Sequence, residues 1–299
     1  MTEQLEPLFG RVLTAMVTPF TDDDRLSLDD AVRLAEHLVD DLGNDGLIIN
    51  GTTGESPTTS DEEKSELLRV VVDAVGDRAS IVAGVGTFST QHSVRLAEQA
   101  ADAGADGLLV VTPYYSRPPE AELERHFLAV ADATELPSML YDIPHRSGIP
   151  IPESMLIRLG QHPRIRAVKD AKGAVASSSV VMANTTLQYY AGDDAMLLPL
   201  LGVGGVGVVG TSTHFTARIV RQIVDAFFGG DPGRAIELNK FALPVFTGVF
   251  ATQGCMMVKA ALNARGIRVG GCRAPMGAVD DALLAPFLAA LDVYDAFEH

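Results

Sequence analysis

The stretch Arg166-Ala167-Val168-Lys169-Asp170 decides how the chain is read. Apolar residues run into a lysine, then an acid, then helix-compatible residues. A buried strand that delivers a polar side chain from its C-terminal end has this order. The sequence holds five lysines, Lys64, Lys169, Lys172, Lys240 and Lys259, and only Lys169 ends a strand-like run. Burial at such a place lowers an amine's pKa and leaves a nucleophile for a carbonyl. A salt-bridged lysine at a strand end fits these five residues equally well, so the surrounding chain has to decide.

Outward from that stretch, short apolar runs alternate with amphipathic ones. The runs at 12–17, 47–50, 80–85, 107–111, 138–142, 165–169, 187–191 and 205–209 are predicted strands. Between them the patterns at 27–42, 60–75, 90–103, 120–133, 152–160, 173–183, 194–201 and 215–228 are predicted helices. Ser60-Asp61-Glu62-Glu63 is a capping box, and Gly104 is a helix stop. Eight βα units in a row predict an α/β fold, a (β/α)₈ TIM barrel. A doubly wound sheet would place a Gly-rich phosphate loop after its first strand, where this chain has Thr18-Pro19-Phe20. Gly229-Gly230-Asp231-Pro232-Gly233 then breaks the pattern, and three helices follow near 232–248, 252–265 and 280–295. The expected organisation is a catalytic barrel over 1–230 and a C-terminal helical extension over 231–299 packed on it.

Composition narrows the function. The chain has 299 residues, 47% of them hydrophobic, and a net charge of −16. That charge opposes binding to nucleic-acid phosphates, and an anionic substrate must be drawn in by a local positive site. Cys255 and Cys272 make no disulfide framework, so a reducing compartment is expected and both are read as structural. The first seven residues lack a signal-peptide pattern, and no apolar run reaches a membrane span, which makes a cytoplasmic location the expectation. Seven histidines form no HxH or HExxH, and there is no Cys-x-x-Cys, so no metal and no cofactor are expected.

Barrel chemistry sits at the C-terminal strand ends. Strand 2 ends in Asn50-Gly51-Thr52-Thr53-Gly54-Glu55-Ser56, either a loop presenting hydroxyls and N–H groups to a carboxylate or a plain βα turn. Strand 4 ends in Thr112-Pro113-Tyr114-Tyr115, which reads more readily as a packing corner than as a catalytic phenol. Strand 5 ends in Tyr141-Asp142-Ile143-Pro144-His145-Arg146, so a tyrosine able to relay protons and an arginine able to grip a carboxylate leave together. His145 is the weaker candidate for a base. Strand 7 ends in Gly192-Asp193-Asp194, where the acids are expected to start a helix, and Asp170 is expected to pair or cap. The Gly-rich eighth strand leaves room for a ligand near backbone. Lysine, tyrosines, hydroxyls and arginine on strand ends point to Schiff-base chemistry on a keto acid. The imine acts as an electron sink, the neighbouring methyl loses a proton, and the enamine attacks an aldehyde.

The motifs Gly51-Thr52-Thr53-Gly54-Glu55-Ser56, Val111-Thr112-Pro113-Tyr114-Tyr115, Leu140 to Gly148, Val168-Lys169-Asp170-Ala171 and Gly192-Asp193-Asp194 occur in an order that resembles one family. It is the class I aldolases of the dihydrodipicolinate synthase and N-acetylneuraminate lyase superfamily, and the resemblance covers nearly the whole chain. The Thr52-Thr53 pair, with an arginine five residues after Tyr141, is similar to the branch that joins pyruvate to aspartate semialdehyde. The resemblance implies that Lys169 forms the imine and that Tyr141, Thr52 and Tyr115 form a proton relay. It further implies that Thr53 binds the pyruvate carboxylate, that Arg146 binds that of the semialdehyde, and that Gly192 and Val209 offer backbone carbonyls. It implies that Tyr115 crosses from a neighbouring subunit, hence a homo-oligomer, a tetramer built as a dimer of dimers. Two other readings stay open: a sister aldolase acting on a 2-keto-3-deoxy sugar acid or another aldehyde, and a keto-acid-binding protein without turnover. The chain departs from the family pattern at Gly210, where serine is usual. It departs again at Pro57, Asp61, Lys64, Phe88 and His92, where lysine-inhibited relatives carry other polar and histidine side chains; weak or absent lysine inhibition is expected.

Overall fold

The structure, a computed structural model, describes residues 6–298. Eight parallel strands close into a barrel in sequence order, with β8 pairing β1. They are β1 Val12–Ala15, β2 Gly46–Ile49, β3 Ser80–Gly84, β4 Gly107–Val111, β5 Ser138–Asp142, β6 Ile165–Asp170, β7 Gln188–Ala191 and β8 Gly207–Gly210. The helices are α1 Leu28–Glu36, α2 Asp61–Val75, α3 Thr90–Asp102, α4 Glu120–Asp132, α5 Pro144–Ser147, α6 Glu153–Leu159, α7 Val175–Asn184, α8 Leu197–Leu201, α9 Thr213–Phe228, α10 Pro232–Gly248, α11 Gly254–Ala264 and α12 Asp281–Glu298. Among the described residues no helix is long and apolar enough to cross a membrane.

The predicted capping box forms at α2: Ser60 accepts from the Glu63 N–H, and the Glu63 carboxylate accepts from the Ser60 N–H. Gly104 follows α3 with φ +85°, a left-handed turn that glycine adopts without cost. The helix predicted over 27–42 is α1 followed by a π turn, His37–Asp41, whose wider ring the hydrophobic spacing does not reveal. The one predicted over 194–201 opens with a 3₁₀ turn at Asp194–Met196.

Period-two alternation sorts the strand residues between two cores. Leu140 and Val168 join the outer core between barrel and helices, while Tyr141 and Ala167 join the inner one. Lys169 lies two residues beyond Ala167 and so points inward. Phe9 sits across the N-terminal end of the barrel: its ring packs on Gly107, where a Cβ would lie 2.5 Å from the ring, and its N–H donates to the Tyr190 hydroxyl at 3.3 Å. The outer core runs on into the C-terminal helices through Val245, Phe246, Met257 and Leu291. The Phe215 and Phe287 rings meet edge to face at 5.9 Å, joining α9 to α12.

Candidate active site

Lys169 lies on β6 in register with Tyr141 of β5 and Tyr190 of β7. It is 4% exposed, and its Nζ stands 4.4 Å from the centroid of the Tyr141 ring. Burial lowers its pKa to about 7; Asp194 opposes that shift, and Arg146 adds to it. The amine is therefore substantially neutral at neutral pH. Burial pushes the Tyr141 phenol in the other direction, upward, while Arg146 and a hydrogen bond with Thr52 pull it back. Tyr141 thus stays a proton donor beside a lysine able to attack.

The loop after β2 is held from several sides. Asn50 and Glu55 both adopt left-handed backbone, with φ of 60° and 56°. The Thr18 hydroxyl donates to the Gly54 carbonyl at 2.6 Å. The buried Glu55 carboxylate forms an ion pair with Lys259 Nζ at 2.6 Å and accepts from the Arg273 N–H at 2.9 Å. Thr53 and Thr211 share a hydroxyl contact at 3.4 Å. Arg146 sits in the short α5 turn, its side chain exposed at the rim. A cavity of about 270 Å³ lies between them, lined by Thr52, Tyr114, Tyr141, Arg146 and, from the C-terminal segment, Cys255 and Met276.

The strand ends thus bring Lys169, Tyr141, Thr52 and Arg146 to one end of the barrel. Gly192 adjoins the lysine, since a Cβ there would meet Lys169 Cγ at 3.1 Å, and Val209 is buried in the inner core. Tyr115 stands apart: it is 95% exposed and held at φ +71°, while Tyr114 lines the cavity and packs its ring on Phe88. His145 is exposed on α5. Asp170 accepts from the Ser178 hydroxyl and from the Lys172 N–H.

Sequence reasoning missed Asp194. It is buried, and it accepts from the Thr211 N–H at 3.0 Å and the Ser212 hydroxyl at 2.6 Å, close enough to bear on Lys169. The helix-starting role falls to Asp193, which accepts from the Ala195 N–H. Asp194 also borders Gly210: a Cβ there would lie 2.5 Å from both Asp194 Oδ1 and Thr213 Cγ2, so a serine would require those side chains to move. The contribution of Cys255 and Met276 to the cavity had no signal in the barrel pattern. Among the described residues no group of three or more His, Cys, Asp or Glu is placed to hold a metal ion.

Comparison with known proteins gives the family. The model of the dihydrodipicolinate synthetase family matches residues 8–292. The chain is 56% identical over 286 residues to 4-hydroxy-tetrahydrodipicolinate synthase of Cutibacterium acnes, covering 96% of this chain and 98% of that one. It is 59% identical over 268 residues to 4-hydroxy-tetrahydrodipicolinate synthase 2 of Streptomyces coelicolor, covering 90% and 89%. The lysine-bound crystal structure of the enzyme from Cyanidioschyzon merolae superposes with a TM-score of 0.94 at 36% identity, covering 96% and 99%. A match along almost the entire length, on a barrel that gathers a buried lysine, a tyrosine and an arginine at one rim, means that the chain belongs to the dihydrodipicolinate synthetase family.

Proposed function

We propose that the chain condenses pyruvate with L-aspartate 4-semialdehyde to 4-hydroxy-tetrahydrodipicolinate, the entry to lysine and diaminopimelate, through an imine on Lys169. The observation that carries this reading is the buried Lys169 with its pKa lowered to about 7 beside the Tyr141 ring. The neutral amine attacks the pyruvate ketone, and Tyr141 passes a proton to the departing hydroxyl so that water leaves. The iminium draws electrons from the methyl carbon, which loses a proton. The enamine then forms a carbon–carbon bond to the aldehyde, whose carboxylate rests on Arg146. The amino group of the semialdehyde attacks the iminium carbon, closes the ring and frees Lys169. Thr53 binds the pyruvate carboxylate, and the backbone of Gly192 and Val209 borders the imine.

Tyr115 completes the relay of a second copy in this proposal, which makes the working unit a dimer, paired again into a tetramer. Its near-complete exposure within its own chain supports that reading. Residues 1–230 are the catalytic unit and 231–299 a helical extension, and the enzyme works in the cytoplasm without a cofactor.

Borohydride trapping tests the mechanism. With pyruvate, an adduct is expected on Lys169 by peptide mass spectrometry, and aspartate semialdehyde added before reduction should discharge it. An adduct that the semialdehyde leaves intact would indicate a sister aldolase. No adduct on Lys169 would sink the imine.

A further inference from the structure

Two thiols meet beside the cavity, and the imine chemistry uses neither. Cys255 is the second residue of α11, and Cys272 lies on the segment that follows that helix. The two side chains hydrogen bond to each other. The backbone on both sides of Cys272 is tied to the same place. Lys259, one turn along α11 from Cys255, donates to the Gly271 carbonyl at 2.7 Å. The Glu55 carboxylate pairs with the Lys259 ammonium at 2.6 Å and accepts from the Arg273 N–H at 2.9 Å. Cys255 also faces the cavity, which gives a small reagent a path to it.

We propose that Cys255 and Cys272 form a redox-modification site, in which a small hydroperoxide converts the facing thiols into an intramolecular disulfide. Cys255 is the attacking thiol, because it sits in the first turn of a helix and opens onto the cavity. The hydrogen bond from Cys272 holds its pKa below the ordinary thiol value against burial, while the same bond and burial raise that of Cys272. The Cys255 thiolate attacks one peroxide oxygen, the O–O bond breaks, and water leaves after protonation. A sulfenic acid remains on Cys255. The Cys272 sulfur attacks that sulfur, the S–O bond breaks, and the hydroxyl leaves as water with the Cys272 proton. With hydrogen peroxide, two thiols and one peroxide thus become one disulfide and two waters (an organic hydroperoxide leaves an alcohol and one water), the sulfurs losing the two electrons that the peroxide gains. A dithiol reductant reverses the change by exchange.

The test uses the intact protein and reads mass, not turnover, so it stands apart from the proposed condensation. The protein is treated with hydrogen peroxide, capped with N-ethylmaleimide and digested with trypsin without reductant. The peptides 241–259 and 269–273 should appear joined, lighter by two hydrogens than their sum, and should separate after dithiothreitol. In Cys272→Ser, dimedone should label Cys255; in Cys255→Ser, Cys272 should stay unlabelled. Peroxide that leaves both thiols free, carries Cys255 to a sulfinic acid without a joined peptide, or links two copies of the chain overturns the proposal.

Discussion

Lys169 sets both the pH dependence of the site and part of its cost in stability. Its pKa falls from 10.5 to about 7, so the reactive neutral form is lost as pH drops through that value. Pyruvate trapping should therefore rise with pH to a plateau, with a midpoint near 7, as measured by adduct mass after fixed-time reduction. The same shift carries a stability term. Between pH 7 and 10.5 the unfolded lysine holds a proton that the folded one lacks, so native stability rises with pH across that window. Lys169→Met should abolish trapping and stabilise the fold by roughly 3–5 kcal/mol below pH 7, a gain that shrinks toward pH 10.5. Urea unfolding at pH 6 and pH 9 measures it; an equal gain at both would count against the shift. Lys169 and Tyr141 were legible because each ends a strand, where side-chain direction follows from alternation. Asp194 was not: its hydrogen-bond donors, Thr211 and Ser212, follow β8 on the far side of α8, and no local pattern marks that meeting.

Elements meet this site through a buried charge pair. Glu55, on the β2 loop, and Lys259, on α11, are each 2% exposed at the side chain and 2.6 Å apart. Removing one partner strands the other charge, so Lys259→Met should cost about 3–5 kcal/mol. Adding Glu55→Gln should recover part of that loss, and denaturant midpoints of the single and double variants decide it. A different contact bears on regulation. Asp61 at the start of α2 and His92 on α3 pair with each other at 2.8 Å, and Lys64 turns its ammonium onto the Thr59 carbonyl. These groups are already engaged, so added lysine should give weak or absent inhibition at millimolar concentrations, about 1 mM, in steady-state rates. Half-inhibition there would overturn the expectation. The extents of most strands and helices were legible from periodicity, caps and glycines. The seat of α11 against the β2 loop was not, because Glu55 and Lys259 are distant in sequence and neither carries a local sign of its partner.

At the scale of the whole molecule, the proposed exchange of Tyr115 between copies makes a direct prediction. Lys169→Met and Tyr115→Phe chains should each be nearly inactive alone. Unfolded together and refolded as a mixture, they should regain activity, since a mixed dimer holds one site with both wild-type residues. Steady-state rates of the mixture measured against the separate variants test this; a mixture no better than its parts would leave Tyr115 without that role. The barrel itself was legible from eight repeats of one pattern, whereas closure of its floor was not, since Phe9 and Gly107 lie in separate units and meet only when the ring forms. That plug has a kinetic consequence. With Phe9 across the N-terminal end, a small molecule bound for the buried Lys169 has to come from the other end, past the exposed Arg146. Whatever reacts at the bottom has to enter first and leave last, and a second reactant that arrives early corks the passage. That route should impose an order of entry, and initial rates measured at rising semialdehyde should fall as it queues ahead of pyruvate.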